Sequence, residues 1–175
     1  MKLRLAEAED VAHINKLIVR SIEALHLEHY HSDEVASAVR LAYGVDWQLV
    51  RDRTYYVAEV DRIVVGAGGW SYRHTISGGH GPDEAASPSL DPASEACRIR
   101  AFYVDPDYAR SGIGSLLLVQ CEDAAREASF ARVELTSTLQ AVPFYLRHGY
   151  AIMGPMELPF DEGFMLRVQL MEKLL

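Results

Sequence analysis

Basic charge is scarce in this chain of 175 residues. Seventeen Lys and Arg stand against 25 Asp and Glu, a formal net charge of −8. Nucleic-acid binding wants a basic face, so that class is set aside. An acidic surface serves solubility and is compatible with a basic amine as partner. Cysteine is scarcer still. Cys97 and Cys121 form no C-x-x-C and belong to no metal-ligand grouping, so they read as buried thiols of a cytoplasmic protein, not a disulfide. His26, His29 and His31 have only Glu28 to supplement them, so no metal is expected. No apolar run nears the roughly 18 residues of a membrane span, and no signal peptide precedes the first apolar stretch. No membrane partner is expected. A composition of 49% hydrophobic and 24% charged residues is ordinary for a globular protein, and the length fits one domain, residues 1–175.

What is present concentrates between Arg98 and Leu118. An apolar strand, Ile99 to Val104, breaks at Pro106. A short loop leads into Ser111-Gly112-Ile113-Gly114-Ser115 and then a run of Leu. Strand, glycine turn and helix start in this order point unpaired N–H groups at an anion, usually a phosphate. A nucleotide P-loop needs a Lys after its last glycine, and none follows Gly114. A dinucleotide loop needs a third glycine where Leu117 stands. Taken alone, Gly112-Ile113-Gly114 also fits a tight turn with close packing.

The rest of the chain alternates strands and helices. Lys2–Leu5 reads as a strand. Val11, Ile14, Leu17, Ile18, Ile22 and Leu25 recur at helical spacing within Glu9–Leu25. A second helix is expected over Asp33–Tyr43, capped by Ser32. Thr54–Val60 and Ile63–Tyr72 form a hairpin about Asp61-Arg62. Thr75–Ala96 is a long loop of Gly, Ser, Pro and Asp, of a length that often marks a functional segment. Then follow a strand from Cys97, a helix over Gly112–Ala128, a strand over Arg132–Thr136 and a helix over Ala141–His148, stopped by Gly149. Strands over Tyr150–Met156 and Phe164–Met171 flank a turn at Asp161-Glu162-Gly163. This order suits a mixed α/β sheet.

Three segments resemble one family. Val104-Asp105-Pro106 followed by Ala109-Arg110-Ser111-Gly112-Ile113-Gly114 is similar to the acetyl-CoA loop of the GNAT N-acetyltransferases, Q/R-x-x-G-x-G/A after a strand ending V-x-P. Ala141-Val142-Pro143-Phe144-Tyr145, then Gly149-Tyr150, resembles the family's A-x-x-F-Y-x-x-x-G-F/Y segment. Arg4, Ala6, Asp10 and Ile14 fit its opening, R-x-A-x-x-x-D-x-x-x-I. The motifs depart at Ala109, which takes the Q/R position with Arg110 one place later, and at Thr138, which stands where Asn is usual. The resemblance covers most of the chain. It implies a mixed, mostly antiparallel sheet flanked by helices and splayed at its fourth and fifth strands, with the cofactor wedged in the splay.

The same resemblance implies the chemistry. Amides from Ala109 through Ser115 (with Arg110, Ser111, Gly112, Ile113 and Gly114 between) would hold the diphosphate of acetyl-CoA. The pantetheine arm would pair along Phe102, Tyr103 and Val104, with the amide of Phe102 or Val104 facing the thioester oxygen. Thr138 would supply part of the missing Asn contact. Tyr145 would protonate the leaving thiolate, or else pack beneath the arm. The acceptor is a small-molecule or peptide amine, which attacks the thioester directly in a ternary complex, and a homodimer is compatible with the fold. The base is open: the alternating positions Arg98 and Arg100 are no bases at neutral pH, and Glu59, His74, His80 and Glu95 remain. Arg100 suits a substrate carboxylate or a structural ion pair equally. Trp70 and Tyr72 either line an acceptor pocket or pack within the sheet. Ser111 and Ser115 lack the His-Asp pattern of a serine nucleophile. A non-catalytic acyl-CoA sensor or interaction module, and a nucleotide-binding protein of another fold, are the competing readings.

Overall fold

The computed structural model describes residues 1–25, 44–161 and 164–175. Its elements are β1 (Lys2–Leu5), α1 (Val11–Leu25), α2 (Trp47–Arg51), β2 (Tyr55–Val60), β3 (Ile63–Ser71), β4 (Cys97–Val104), α3 (Ile113–Glu127), β5 (Arg132–Thr138), α4 (Val142–Arg147), β6 (Ala151–Asp161) and β7 (Phe164–Leu174). The strands form one seven-stranded sheet in the order β1-β2-β3-β4-β5-β7-β6. Neighbours run antiparallel except β4 and β5, which are parallel. The expected helix over 33–43, the His26, His29 and His31 group, and the turn residues 162–163 lie outside the described residues.

The opening motif is structural. The Arg4 guanidinium forks onto Asp10, with Nη1 and Nη2 donating at 2.6 and 2.8 Å, and also reaches Glu59 at 3.1 Å. Asp10 in turn accepts from the Glu7 amide at 2.9 Å, which closes a single 3-10 turn over Ala8–Asp10. This turn occupies the start that periodicity assigned to the helix. Ile14, Leu17, Ile18 and Ile22 of α1 are buried on one face of the sheet with Leu49, Tyr55, Val57, Ala67 and Val168. Each of these Ile, Leu and Val side chains contributes about 1.5–3 kcal/mol on burial.

The Asp61-Arg62 turn is a two-residue hairpin with both residues left-handed, φ 49° and 67°, matching the right-handed twist of the strands. α2 was not foreseen. It is one turn long, too short for periodicity, and depends on Asp46 accepting from the Gln48 amide at 3.1 Å. β5 reaches Thr138 instead of Thr136 because every residue from Arg132 onward has a partner on β7. The long loop after β3 folds back on itself through Leu90 N–H to Tyr72 O at 2.8 Å and His74 N–H to Pro88 O at 3.1 Å. On the opposite face α3 and α4 cover Cys97, Ile99, Val133, Leu135 and Met171. Trp70 packs in that core, edge-on to Phe130 at 6.1 Å. Of the two readings for this residue, the structural one holds.

Candidate active site

The parallel pair β4–β5 is zipped at one end only. Cys97 lies opposite Val133 and Arg98 opposite Glu134, and there the ladder stops. Beyond that rung β5 keeps its other partner, β7, and β4 keeps β3. Ile99 to Val104 therefore present an open strand edge to a V-shaped cleft. Arg98 and Glu134 form an ion pair across the last rung.

A bulge decides which groups face this cleft. Arg100 pairs with Gly69 and Tyr103 with Ala67, so two β4 residues oppose Gly68 alone. Ala101 sits at φ 53°, an uncommon conformation for a residue with a Cβ. The fully buried Tyr55 fixes it by donating its hydroxyl to the Ala101 carbonyl at 3.2 Å. Gly68 makes the room, because a Cβ there would lie 2.6 Å from the Phe102 ring. Beyond the bulge, the Asp105 amide donates back to Val65 on β3 at 2.9 Å. Alternation then turns Tyr103 toward β3, and the amides of Phe102 and Val104 toward the cleft. The bulge also flips side-chain parity. Cys97, Ile99, Phe102 and Val104 pack toward α3, while Ala101 and Tyr103 pack toward α1.

At the mouth of the cleft stands the N-terminus of α3. Asp105 caps a 3-10 turn over Pro106–Tyr108 by accepting from the Asp107 amide at 3.0 Å. Arg20 of α1 grips Asp105 at 2.9 and 3.1 Å and Asp107 at 2.9 Å. The loop then turns through two left-handed residues, Arg110 at φ 62° and Gly112 at φ 89°. The Ala109 amide is taken by Pro106 O at 3.1 Å, and the Ser111 amide points to Tyr108 O at 3.4 Å. These two amides are turned inward, which narrows the expected set. Those of Arg110, Gly112, Ile113, Gly114 and Ser115 have no acceptor among the described residues. A helix start with a nest of open amides is an anion site. The two glycines serve differently. At Gly112 a Cβ would meet nothing within 4 Å, so the left-handed φ is the requirement. At Gly114 it would lie 3.4 Å from the Phe144 ring, so α4 sets the limit.

Tyr145 lies on α4, buried against Phe144 at 5.0 Å and Tyr150 at 5.5 Å between ring centroids. Burial pushes its hydroxyl well above the ordinary phenol range, so it stays protonated. Thr138 ends β5, and its carbonyl accepts from the Ala141 amide at 3.0 Å, seating α4. The candidate bases are scattered. Glu59 is held by Arg4 at the β1–β2 edge. His74 and Glu95 stand 3.8 Å apart, both substantially exposed. His80 Nδ1 meets Asp46 Oδ1 at 3.2 Å, and Asp46 Oδ2 pairs with Arg100 at 2.6 Å. Arg100, 2% exposed in its side chain, also donates to Gly78 O at 2.5 Å. Its role is thus an ion pair within the protein. Asp46 and Arg20 organise this region from distant points in the chain, and sequence reasoning missed both; the one local signal that could have found either is the capping propensity of Asp46.

The chain matches the model of the GNAT acetyltransferase family over residues 9–150. No curated protein matches it. Among solved structures it resembles a GCN5-related N-acetyltransferase of Rhodopseudomonas palustris, 23% identical, with a TM-score of 0.73 over 99% of this chain and 95% of that one. The PaiA N-acetyltransferase of Thermoplasma acidophilum, solved in complex with coenzyme A, aligns at 14% identity and TM-score 0.63 over 99% and 98%. A ribosomal-protein-alanine N-acetyltransferase of Brucella melitensis aligns at 19% identity and TM-score 0.62 over the whole of both chains.

Proposed function

The chain belongs to the GNAT acetyltransferase family, and from that premise we propose that it moves an acetyl group from acetyl-CoA to a primary amine within a ternary complex. We read residues 1–175 as one domain, acting in the cytoplasm, where its two buried free cysteines suit a reducing setting. The observation that carries the proposal is the coincidence of two open hydrogen-bonding edges. The unpaired amides of Arg110 and Gly112 through Ser115 lie at the mouth of the β4–β5 splay, and the free edge of β4 runs into it.

Each residue then has a task. The open amides and the α3 dipole hold the diphosphate. Phe102 and Val104, with Tyr103 turned away between them, offer strand-like hydrogen bonds to the pantetheine arm. The bulge aims one of those amides at the thioester oxygen, where charge develops as the amine attacks. A preorganised donor of this kind contributes about 3 kcal/mol to the transition state. Tyr145 then donates its proton to the departing thiolate, starting from the neutral phenol. For the base, His80 is the candidate linked through Asp46 to Arg100 beside the bulge. The acceptor is a small-molecule or peptide amine, and a homodimer is compatible with this arrangement.

The test is acetyl transfer to a panel of amines, beside calorimetric binding of coenzyme A. Tyr145→Phe is expected to leave the affinity unchanged and lower kcat about a hundredfold, the range of a general acid. Tight binding with no turnover on any amine would favour the sensor reading, which the lack of a His or Glu on β4 supports.

A further inference from the structure

His148, the residue after α4, carries a hydrogen-bond pattern that the acetyl-transfer chemistry leaves unused. Its Nδ1 lies 2.8 Å from the Phe144 carbonyl oxygen, and its Nε2 lies 3.0 Å from the Ser115 hydroxyl. The ring rests on Phe144 with centroids 4.4 Å apart. A carbonyl only accepts, so Nδ1 carries a hydrogen. That fixes the neutral tautomer: Nε2 has a lone pair, and among the described residues the donor facing it is the Ser115 O–H. Ser115 is the third residue of α3, in the same turn whose amides are open.

We propose that His148 sets the direction of the Ser115 hydroxyl, and that the protein binds the diphosphate of its acyl carrier with uptake of one proton at His148 Nε2. The inference rests on the proposed reading of the α3 N-terminus as the diphosphate site. With His148 neutral, the Ser115 hydrogen is directed at Nε2, and the oxygen offers an anion only lone pairs. When Nε2 takes a proton from solvent, it becomes the donor. The Ser115 oxygen accepts from it, and the hydroxyl hydrogen is released to point at the anion. The anion thus gains a donor and a nearby positive charge in one step. Histidine is the side chain suited to such an exchange within the physiological range.

Basic groups also flank His148. Arg147 adjoins His148 on its own element, and exposed Arg110 lies in the loop before α3. On β7, the Lys173 Cε is 3.8 Å from where a Cβ of Gly149 would sit. The buried acid on α3, Glu122, is held by Lys173 at 2.7 Å and by the Tyr150 hydroxyl at 3.0 Å. No ion pair joins His148 to an acid among the described residues. A bound diphosphate would therefore be the anion that His148 answers.

The experiment is calorimetry with 3′-dephospho-coenzyme A, whose diphosphate does not titrate between pH 5.5 and 8. Wild-type affinity is expected to rise about tenfold from pH 8 to pH 5.5, the scale of a hydrogen bond to a charged group. Near pH 6.5, runs in buffers of different ionisation enthalpy should show proton uptake. Ser115→Ala should show a clearly shallower pH slope than the wild type, because it keeps the imidazolium charge and loses the hydroxyl donor. His148→Phe keeps a ring against Phe144 and frees the hydroxyl, so its affinity at pH 8 should exceed that of the wild type. Binding with a flat pH profile and no proton uptake would overturn the relay while leaving the diphosphate site standing. An equal pH slope in wild type and Ser115→Ala would do the same. No binding of the probe at any pH would overturn both.

Discussion

Gly68→Ala tests the geometry of the bulge directly. The added Cβ would sit 2.6, 2.7 and 2.9 Å from the Cε2, Cζ and Cδ2 atoms of Phe102. A ring edge is not a flexible chain end, and behind it lies the core that also holds Ile113 and Leu117. The clash is relieved only by moving Phe102 or by separating β3 from β4. Overpacking of this kind costs about 1–3 kcal/mol. For a chain of this length each kcal/mol lowers Tm by about 2–4 °C, so a fall of about 2–12 °C is expected by calorimetry. The shift also turns the Phe102 amide, so turnover should fall by about tenfold or more, within the range of a misaligned oxyanion donor. The double variant Gly68→Ala, Phe102→Leu removes the ring atoms that clash. It should melt well above the sum of the two single effects, since residues in contact couple. Additive losses, or a Gly68→Ala Tm within about 1 °C of wild type, would refute the claim that this glycine makes room for the ring.

Other outcomes follow from the same contacts. Gly112→Asp should abolish coenzyme A binding by calorimetry while lowering Tm only modestly. The Cβ meets open space, so the fold bears only the left-handed backbone strain, about 1–2 kcal/mol, while the carboxylate repels the diphosphate. Asp46→Asn leaves Arg100 buried without its counter-ion, a loss of about 3–5 kcal/mol, read by denaturant titration. Arg4 holds the Asp10 carboxyl below the ordinary carboxylate range. The folded value is the lower one, so this stabilisation is complete above the unfolded value near about pH 4 and is lost as pH falls through the folded value. Arg4→Gln should flatten the acid limb of a Tm-versus-pH curve below about pH 4. An unchanged slope there would show that the pair is not what acid disrupts.

The sequence made the local devices readable and the distant ones not. The glycine turn before α3, the Asp61-Arg62 hairpin and the stop at Gly149 each rest on neighbouring residues, so pattern alone finds them. Arg20 acts on Asp105 across 85 positions, and Ser115 meets His148 across 33. No window of residues contains such pairs. Arg100 shows the same limit. Its strand position was readable, but its partner Asp46 caps a helix of one turn that no periodicity announces. The bulge was hidden for another reason. A left-handed turn in a strand suggests Gly or Asn, and the residue there is Ala101; a tertiary hydrogen bond from Tyr55 overrides the local preference.

That override also explains where the site sits. Left-handed non-glycine residues cost about 1–2 kcal/mol each, and two of them, Ala101 and Arg110, bracket the segment from the bulge to the α3 loop. Each is braced from outside the segment. Tyr55 holds the first through the Ala101 carbonyl, and Arg20 anchors the turn leading to the second through Asp105 and Asp107. A regular β4 would have kept its alternation and passed straight into α3. The strained version instead turns the amides of Phe102 and Val104 to one edge and opens those of Arg110 and Gly112 at its end. Strain at these two points is the physical reason that one strand edge and one helix start both present free donors to the same cleft. The braces lie on β2 and α1, so substitutions there should disturb the ligand while touching none of its atoms.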